Sequence, residues 1–126
     1  MADEEALIEF LESRAGDSLR VVGRYNGETC TLEYVREDLP REEIRDRVDA
    51  LRANITWSWN PPGHPTVEKL GTKQASLQVR KKAVILHLPL GEERGVLIGL
   101  EPEASRNLTT FITDCMSHVD GLNPPA

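Results

Sequence analysis

Apolar residues recur at helical spacing in three stretches of the chain. The first runs from about Asp3 to Arg14, with acidic residues in its first turn and Gly16 placed to end it. The second covers roughly residues 39–54, where Pro40 suits a first helical turn, and the third begins near Pro102. The pattern predicts three amphipathic helices, with apolar positions Ala6, Leu7, Phe10 and Leu11; Ile44, Val48 and Leu51; and Ala104, Leu108, Phe111, Ile112, Cys115 and Val119.

A β-hairpin is predicted between the first two helices. Two strand-like segments, Leu19 to Tyr25 and Glu28 to Val35, flank Asn26-Gly27, a dipeptide that tolerates the positive φ angles of a type I′ turn. This turn sets the register and predicts one almost wholly apolar face, formed by the pairs Leu19–Tyr34, Val21–Leu32 and Gly23–Cys30.

Three further strands are predicted before the last helix, at about residues 75–80, 83–90 and 96–100. Lys81-Lys82 marks the first connection, although Lys-Lys is poor two-residue turn chemistry and a longer turn stays open. The middle strand is apolar on both faces, so we expect both to be covered. One face combines Leu77, Val79, Val84, Leu86, Leu88, Val96, Ile98 and Leu100 with Ala75, and the other holds Ile85, His87, Pro89, Leu97 and Gly99.

The order of these elements predicts an α+β fold: a five-stranded antiparallel sheet with helices on both faces, in the order α-ββ-α-βββ-α. We expect a single domain over residues 1–126, with an ordered core at about 3–120 and a tail at 121–126. The order resembles the roadblock/LC7 domain of the profilin-like folds. That resemblance implies dimerisation through a helix and an edge strand, here the second helix and the third strand, and a platform for small GTPases or other regulatory partners.

Three segments resemble a small haloarchaeal protein family of unknown function: Phe10 to Arg20, Tyr34 to Asp38 and Leu108 to Cys115. This second resemblance supplies no catalytic residue. Arginine outnumbers lysine 11 to 4 beside 21 carboxylates, which indicates GC-rich coding or a salty cytoplasm, where salt screens the repulsion between surface charges.

The charge of the chain bears on its partners and location. The formal net charge is -6, and the excess of acidic residues lies in residues 1–54. An acidic surface repels phosphate backbones, so nucleic acid is disfavoured as a partner. The chain has no apolar run of membrane-spanning length and an acidic N-terminus, so we expect a cytoplasmic protein without a membrane segment. A local basic cluster, Lys69, Lys73, Arg80, Lys81 and Lys82, is interpreted as a solvated edge and turn.

Motifs for catalysis are absent from the sequence. No serine lies in a Gly-x-Ser-x-Gly elbow, and no glycine-rich phosphate loop occurs. Cys115 and His118, at i and i+3, could form half a metal site or a thiol–base pair, but we interpret them as an inward Cys115 and a His118 that interacts with the helix dipole. Cys30 and Cys115 follow no metal-site spacing and are predicted to be small core residues. We therefore predict no enzyme activity, catalytic residue, metal or cofactor.

Two candidate binding sites remain. The first is a proline-stiffened loop predicted over Ile55 to Thr66, where Trp57 and Trp59 would lie on one side of an extended segment and either pack on the sheet or face a partner. The second is a small-molecule pocket at the strand residue Gly99, beside His87. The alternative interpretation is that His87 is a hydrogen-bonded core residue. The partner-binding candidates are Trp57, Trp59, His64, Ile44, Val48 and Leu51, and the pocket candidates are Ile85, His87, Leu97 and Gly99.

The leading functional hypothesis is a non-enzymatic, cytoplasmic regulatory or adaptor domain that acts through homodimerisation and protein–protein binding, with a partner that the sequence does not identify. The alternatives are a small-molecule-sensing module using the pocket near His87 and Gly99, and a transcription-associated accessory protein. The last would use Lys73, Arg80, Lys81 and Lys82.

Overall fold

The helices and strands follow the predicted order. The computed structural model describes residues 2–59, 69–71, 74–91, 93–105, 114–115 and 117–119, of which 2–4, 54–59 and 105 are described by their backbone alone. Residues 114–115 and 117–119 are helical and are called α3. The other elements are α1 (Ala2–Ala15), a 3-10 turn (Gly16–Ser18), β1 (Leu19–Asn26), β2 (Thr29–Val35), α2 (Arg41–Trp59), β3 (Ser76–Val79), β4 (Val84–Pro89), β5 (Arg94–Leu100) and a second 3-10 turn (Pro102–Ser105).

The five strands form one sheet in the order β2-β1-β5-β4-β3, and each neighbouring pair is antiparallel. The predicted five-stranded α+β fold is therefore confirmed. β1 and β5 pair although most of the chain separates them, so β2 and β3 become the two edges of the sheet.

Helices cover both faces of the sheet. On one face, Leu7 and Leu11 of α1 and Cys115 of α3 pack against Leu86 and Ile98. A second core lies beneath α2 and comprises Val21, Tyr25, Leu32, Ile44, Val48, Ile85 and Leu97. Strand β4 contributes to both cores, which confirms the expectation drawn from its apolar sequence.

The apolar face predicted to be shared by the three C-terminal strands is confirmed. Leu77 lies opposite Leu86, which lies opposite Ile98. The amide of Arg80 donates to the carbonyl of Ala83 at 2.8 Å, so Lys81 and Lys82 form a two-residue connection despite their poor turn propensity. Close pairing of apolar side chains on both strands favours this short connection.

The first hairpin turn is displaced by one residue from its predicted position. Gly27 and Glu28 form the turn, and Gly27 has a φ of 63°. Asn26 belongs to β1, where it pairs with Thr29 on one side and Arg94 on the other. Pairing with β5 lengthens β1, so a turn rule based on local sequence places the turn too early.

The predicted face of the hairpin is divided between the two cores. The register is irregular between Val22 and Gly23, so Val22 lies opposite Tyr34 while Gly23 lies opposite Leu32. A second irregularity lies between Leu19 and Val21 in the pairing with β5. The predicted pairs Leu19–Tyr34, Val21–Leu32 and Gly23–Cys30 are therefore wrong. The displaced turn places Gly23 opposite Leu32, and the irregularity beyond it places Val21 opposite Val35.

Helix α2 starts and ends later than predicted. The amide of Ile44 donates to the carbonyl of Pro40 at 3.0 Å, so Pro40 precedes the first helical residue. The helix continues to Trp59, so the loop predicted from Ile55 is wrong for residues 55–59. Proline restricts its own residue and the one before it, and Pro61 is the first proline of the segment. Trp57 and Trp59 are therefore helical and do not share one side of an extended strand.

The predicted third helix is described in part. A 3-10 turn occupies Pro102–Ser105, and residues of α3 reach Val119. The predicted positions Leu108, Phe111 and Ile112 lie outside the described residues. Cys115 and Val119 are buried against α1, as the helical pattern predicts.

Candidate functional site

Helix α2 crosses the sheet from β2 towards β4. Near its start, Arg41 and Arg45 donate to carbonyl groups of β2. One turn further, Val48 Cγ1 lies 3.1 Å from the position that a Cβ on Gly23 of β1 would occupy. Next, Leu51 borders a cleft that Ile85 of β4 also lines. The helix therefore brings its central residues to the side of the sheet where β4 and β3 lie.

Two arginines of α2 contact outward-facing carbonyl groups of β2. In an antiparallel hairpin, pairs of residues that are hydrogen-bonded to each other alternate with pairs that are not. Asn26 and Thr29 form the first hydrogen-bonded pair, so Cys30 and Leu32 belong to pairs without such bonds and their carbonyls point away from β1. Arg45 Nη1 donates to the Cys30 carbonyl at 3.4 Å, and Arg41 Nη2 donates to the Leu32 carbonyl at 3.3 Å. Side chains placed in this way reduce the tendency of an edge strand to pair with another chain.

The edge formed by β3 differs from that of β2. The hydrogen bond from the Arg80 amide to the Ala83 carbonyl shows which residues of β3 are hydrogen-bonded to β4. Leu77 and Val79 fall at the positions between them, so their backbone groups point away from β4. Among the described strands, β3 pairs with β4 alone. Val79 exposes 66% of its surface at this edge. β3 is thus a short edge strand with an exposed apolar residue.

The predicted partner-binding residues have different environments. Ile44 and Val48 are 4% and 3% exposed and pack against the protein's own sheet, so these two side chains are covered within one subunit. Leu51 is half-buried beside the cleft. Trp57 and Trp59 end α2, but their side chains lie outside the described part of the structure, as does all of His64. A partner would therefore contact α2 mainly through residues other than its buried stripe.

The four pocket candidates lie together beneath α2. Ile85 and His87 of β4 are buried beside Leu97 and Gly99 of β5. Val21 Cγ1 lies only 2.6 Å from the position of a Cβ on Gly99. The space left by the glycine is thus occupied by a side chain of β1.

His87 is 1% exposed, and its Nε2 atom shares a hydrogen bond of 2.8 Å with Tyr25 Oη. Burial raises the pKa of Tyr25 to about 12, so the phenol keeps its proton at neutral pH. The Tyr25 ring lies over Gly95, where a Cβ would be 2.6 Å from Oη. This geometry is that of a hydrogen-bonded core histidine, and the ligand pocket stays a prediction.

Sequence reasoning missed a cleft between α2 and the turn that joins β3 to β4. The cleft has a volume of about 480 Å³. Among the residues that the structure describes, four basic and four apolar ones line it, and none of these eight is acidic: Arg20, Arg47, Arg80, Lys82, Ala50, Leu51, Ala83 and Ile85. Arg80, Lys82, Leu51 and Ile85 appeared in the sequence as parts of three separate features, and only the crossing of α2 brings them together.

The thiol and imidazole groups of α3 have structural contacts. Cys115 is fully buried, and burial raises the pKa of its thiol to about 12, which suppresses the reactive thiolate. His118 donates from Nδ1 to the Asp114 carbonyl at 3.0 Å and stacks on Phe10, with 4.0 Å between ring centroids. Cys30 is half-buried on the opposite face of the sheet, so the core position predicted for it is only partly correct. Within the described ranges, His, Cys, Asp and Glu residues form no group of three that could hold a metal ion.

Comparison with known proteins places the chain in a family. None of the helices in the described segments is long and apolar enough to cross a membrane. No curated protein matches the chain. Residues 5–120 match the model of a domain of unknown function, DUF7522. Since this match covers nearly the whole chain, the protein belongs to the DUF7522 family.

Proposed function

We propose that this protein is a non-enzymatic regulatory or adaptor domain that homodimerises and binds another protein. The edge of β3 carries the proposal, because Leu77 and Val79 direct backbone donors and acceptors away from β4 and no second described strand pairs with them. An exposed edge strand is a template for pairing with a second chain. The edge of β2 is covered by Arg41 and Arg45, so β3 is the edge at which a second copy pairs.

Helix α2 extends the proposed dimer surface. Its exposed residues Arg47 and Ala50 border the cleft beside Ala83, which immediately follows the β3–β4 turn. The edge of β3 and the adjacent side of α2 can therefore form one continuous surface. This combination is the helix and edge strand that the roadblock resemblance implies.

The protein partner is proposed to bind near the end of α2. Trp57 and Trp59 lie there, directly before the proline-rich segment that contains His64. Tryptophan is enriched among residues that dominate binding energies at protein interfaces. The net charge of -6 disfavours nucleic acid as the partner. A haloarchaeal source and a cytoplasmic location form part of this proposal and rest on the sequence.

Static light scattering at micromolar concentrations and high salt tests the dimer. We expect a molar mass near twice 14.1 kDa for the wild-type protein. The substitution Val79→Lys places a charge on the β3 edge and should shift the mass towards that of one chain. Thr31→Lys, at an exposed position on β2, is the matched control and should leave the dimer intact. A wild-type protein that stays monomeric, or equal effects of the two substitutions, would refute the proposed interface.

A further inference from the structure

We infer that the cleft between α2 and the β3–β4 turn binds a small organic anion with an apolar body. Its basic rim comprises Arg20, Arg47, Arg80 and Lys82, and its apolar floor comprises Ala50, Leu51, Ala83 and Ile85. This inference goes beyond the proposed dimer, because it assigns a ligand to the cleft, two of whose lining residues, Arg47 and Ala50, also border the proposed dimer surface.

The basic rim collects cations from separate elements of the fold. Arg20 comes from β1, Arg47 from α2, and Arg80 and Lys82 from the β3–β4 turn. Their convergence arises from the way α2 crosses the sheet. Lysine carries three donors and arginine five, arranged so that a carboxylate or phosphate can be bound through two parallel hydrogen bonds.

Neighbouring groups use only part of this donor capacity. Arg20 Nη1 contacts Glu101 Oε1 at 2.9 Å, and Arg47 Nη2 lies 3.6 Å from Glu43 Oε2 in a pair that is exposed to solvent. Arg80 Nε donates to Gln78 Oε1 at 3.0 Å. Each arginine has further N–H groups, and neither carboxylate lines the cleft.

The charge of the rim contrasts with that of the molecule. The chain as a whole carries a net charge of -6 and repels anions, whereas the lining residues within the described part of the chain carry four positive charges and no negative one. A cleft lined by one sign of charge concentrates the field of that sign. The rim therefore selects for an anion at this place on an acidic protein.

The apolar floor determines the class of anion. Leu51 and Ile85 also belong to the core beneath α2, so the floor of the cleft continues the apolar interior. Small-molecule sites typically have volumes of about 300 to 1,000 Å³, and the cleft lies in that range at about 480 Å³. A hydrated inorganic ion would leave this floor uncovered, whereas an alkyl or aryl carboxylate or phosphate ester would cover it.

Titration of the ¹⁵N-labelled protein with octanoate, followed by NMR, tests the inference. We expect saturable shifts centred on the backbone amides of Ala50, Leu51 and Ala83. Octanol, which lacks the charge, and inorganic phosphate, which lacks the apolar body, should each bind about tenfold more weakly or not at all. Added NaCl should weaken octanoate binding, because salt screens the exposed rim.

Two adjacent lysines provide a matched pair of variants. Lys82 lines the cleft and Lys81 does not, although both are exposed in the same two-residue turn. Lys82→Gln should weaken octanoate binding about threefold or more, while Lys81→Gln should leave it unchanged. Ala50→Glu, at an exposed helical position, should abolish binding by adding a negative charge to the rim.

Several results would overturn the inference. If octanol bound as tightly as octanoate, binding would not depend on a charge. If inorganic phosphate bound as tightly, binding would not depend on the apolar floor. Equal effects of Lys81→Gln and Lys82→Gln would indicate attraction to the surface in general. Because the titration follows octanoate binding and light scattering follows mass, absence of binding at the cleft and absence of a dimer are distinguishable.

Discussion

Tyr25 and His87 show how single residues connect two strands that do not pair with each other, in the core beneath α2. Their hydrogen bond joins β1 to β4 across β5, with 2.8 Å between Tyr25 Oη and His87 Nε2. The tyrosine ring reaches across because Gly95 of β5 has no side chain. A Cβ at that position would lie 2.8 Å from two ring carbons as well as 2.6 Å from Oη.

Gly95→Ala should destabilise the protein by about 1–3 kcal/mol, because the buried tyrosine ring must move to admit a methyl group. The free energy of unfolding from chemical denaturation measures the effect. Gly91→Ala is the control, since a Cβ there meets only the Arg94 side chain, at 3.8 Å. Equal losses in the two variants would contradict the close packing of Tyr25 on Gly95.

The ionisation of Tyr25 gives a prediction at alkaline pH. Burial raises its pKa from 10.0 to about 12, so the folded state retains a proton that the unfolded state has lost. The resulting stabilisation is fully present below pH 10 and is lost as the pH rises from 10 to 12.

Phenolate absorbance in the Tyr34→Phe variant measures this titration, because the chain has only two tyrosines. We expect one ionisation near pH 12 and a parallel fall in the free energy of unfolding. A midpoint near pH 10 in the folded variant would show that Tyr25 is accessible to water.

At the scale of elements, Arg36 joins the ends of three segments. From just beyond β2 it donates to the carbonyl of Asp17 in the first 3-10 turn and to both carboxylate oxygens of Asp38. Its Nη2 atom also lies 2.8 Å from Glu101, just beyond β5, which accepts a second bond from Arg20. The hydrogen bond from Arg36 lowers the pKa of Glu101 most, and the hydrogen bond from Arg20 lowers it further.

Glu101→Gln should lower the free energy of unfolding at neutral pH by about 1 kcal/mol, because an amide replaces a partly exposed carboxylate that pairs with two arginines. A lowered pKa in the folded state means that this stabilisation is present above pH 4.5 and is lost as the pH falls through the folded pKa.

Chemical denaturation of the wild type and of Glu101→Gln as a function of pH measures this effect. We expect the difference between their free energies of unfolding to shrink as the pH falls. Glu103→Gln, at an exposed position in the neighbouring 3-10 turn, is the control and should change stability little. A difference between wild type and Glu101→Gln that is independent of pH would contradict the ion pairing.

The sequence was informative where an element's own pattern decides its structure. The apolar residues of β4 predicted its burial on both faces, and alternation predicted the pairing of Leu77, Leu86 and Ile98. Prediction failed where a distant segment decides the outcome. Asn26 is in a strand because Arg94 pairs with it, and the cleft exists because α2 crosses towards Ala83. No local pattern contains these long-range contacts.

At the scale of the whole molecule, the arrangement of the strands determines which surfaces can recruit a partner. Pairing of β1 with β5 places β2 and β3 at opposite edges, and helices cover both faces. Arginines of α2 cover the outer carbonyls of β2. The remaining edge, β3, is therefore the part of the sheet at which we propose that a second chain adds strands.

Amide hydrogen exchange of β3 as a function of protein concentration tests this interface residue by residue. The amides of Ser76 and Gln78 face β4, whereas those of Leu77 and Val79 face outward. At concentrations where the mass is that of a dimer, we predict that the Leu77 and Val79 amides exchange at least about tenfold more slowly than after dilution to monomer. If these two amides exchange rapidly at every concentration while the protein is dimeric, the dimer does not form through β3.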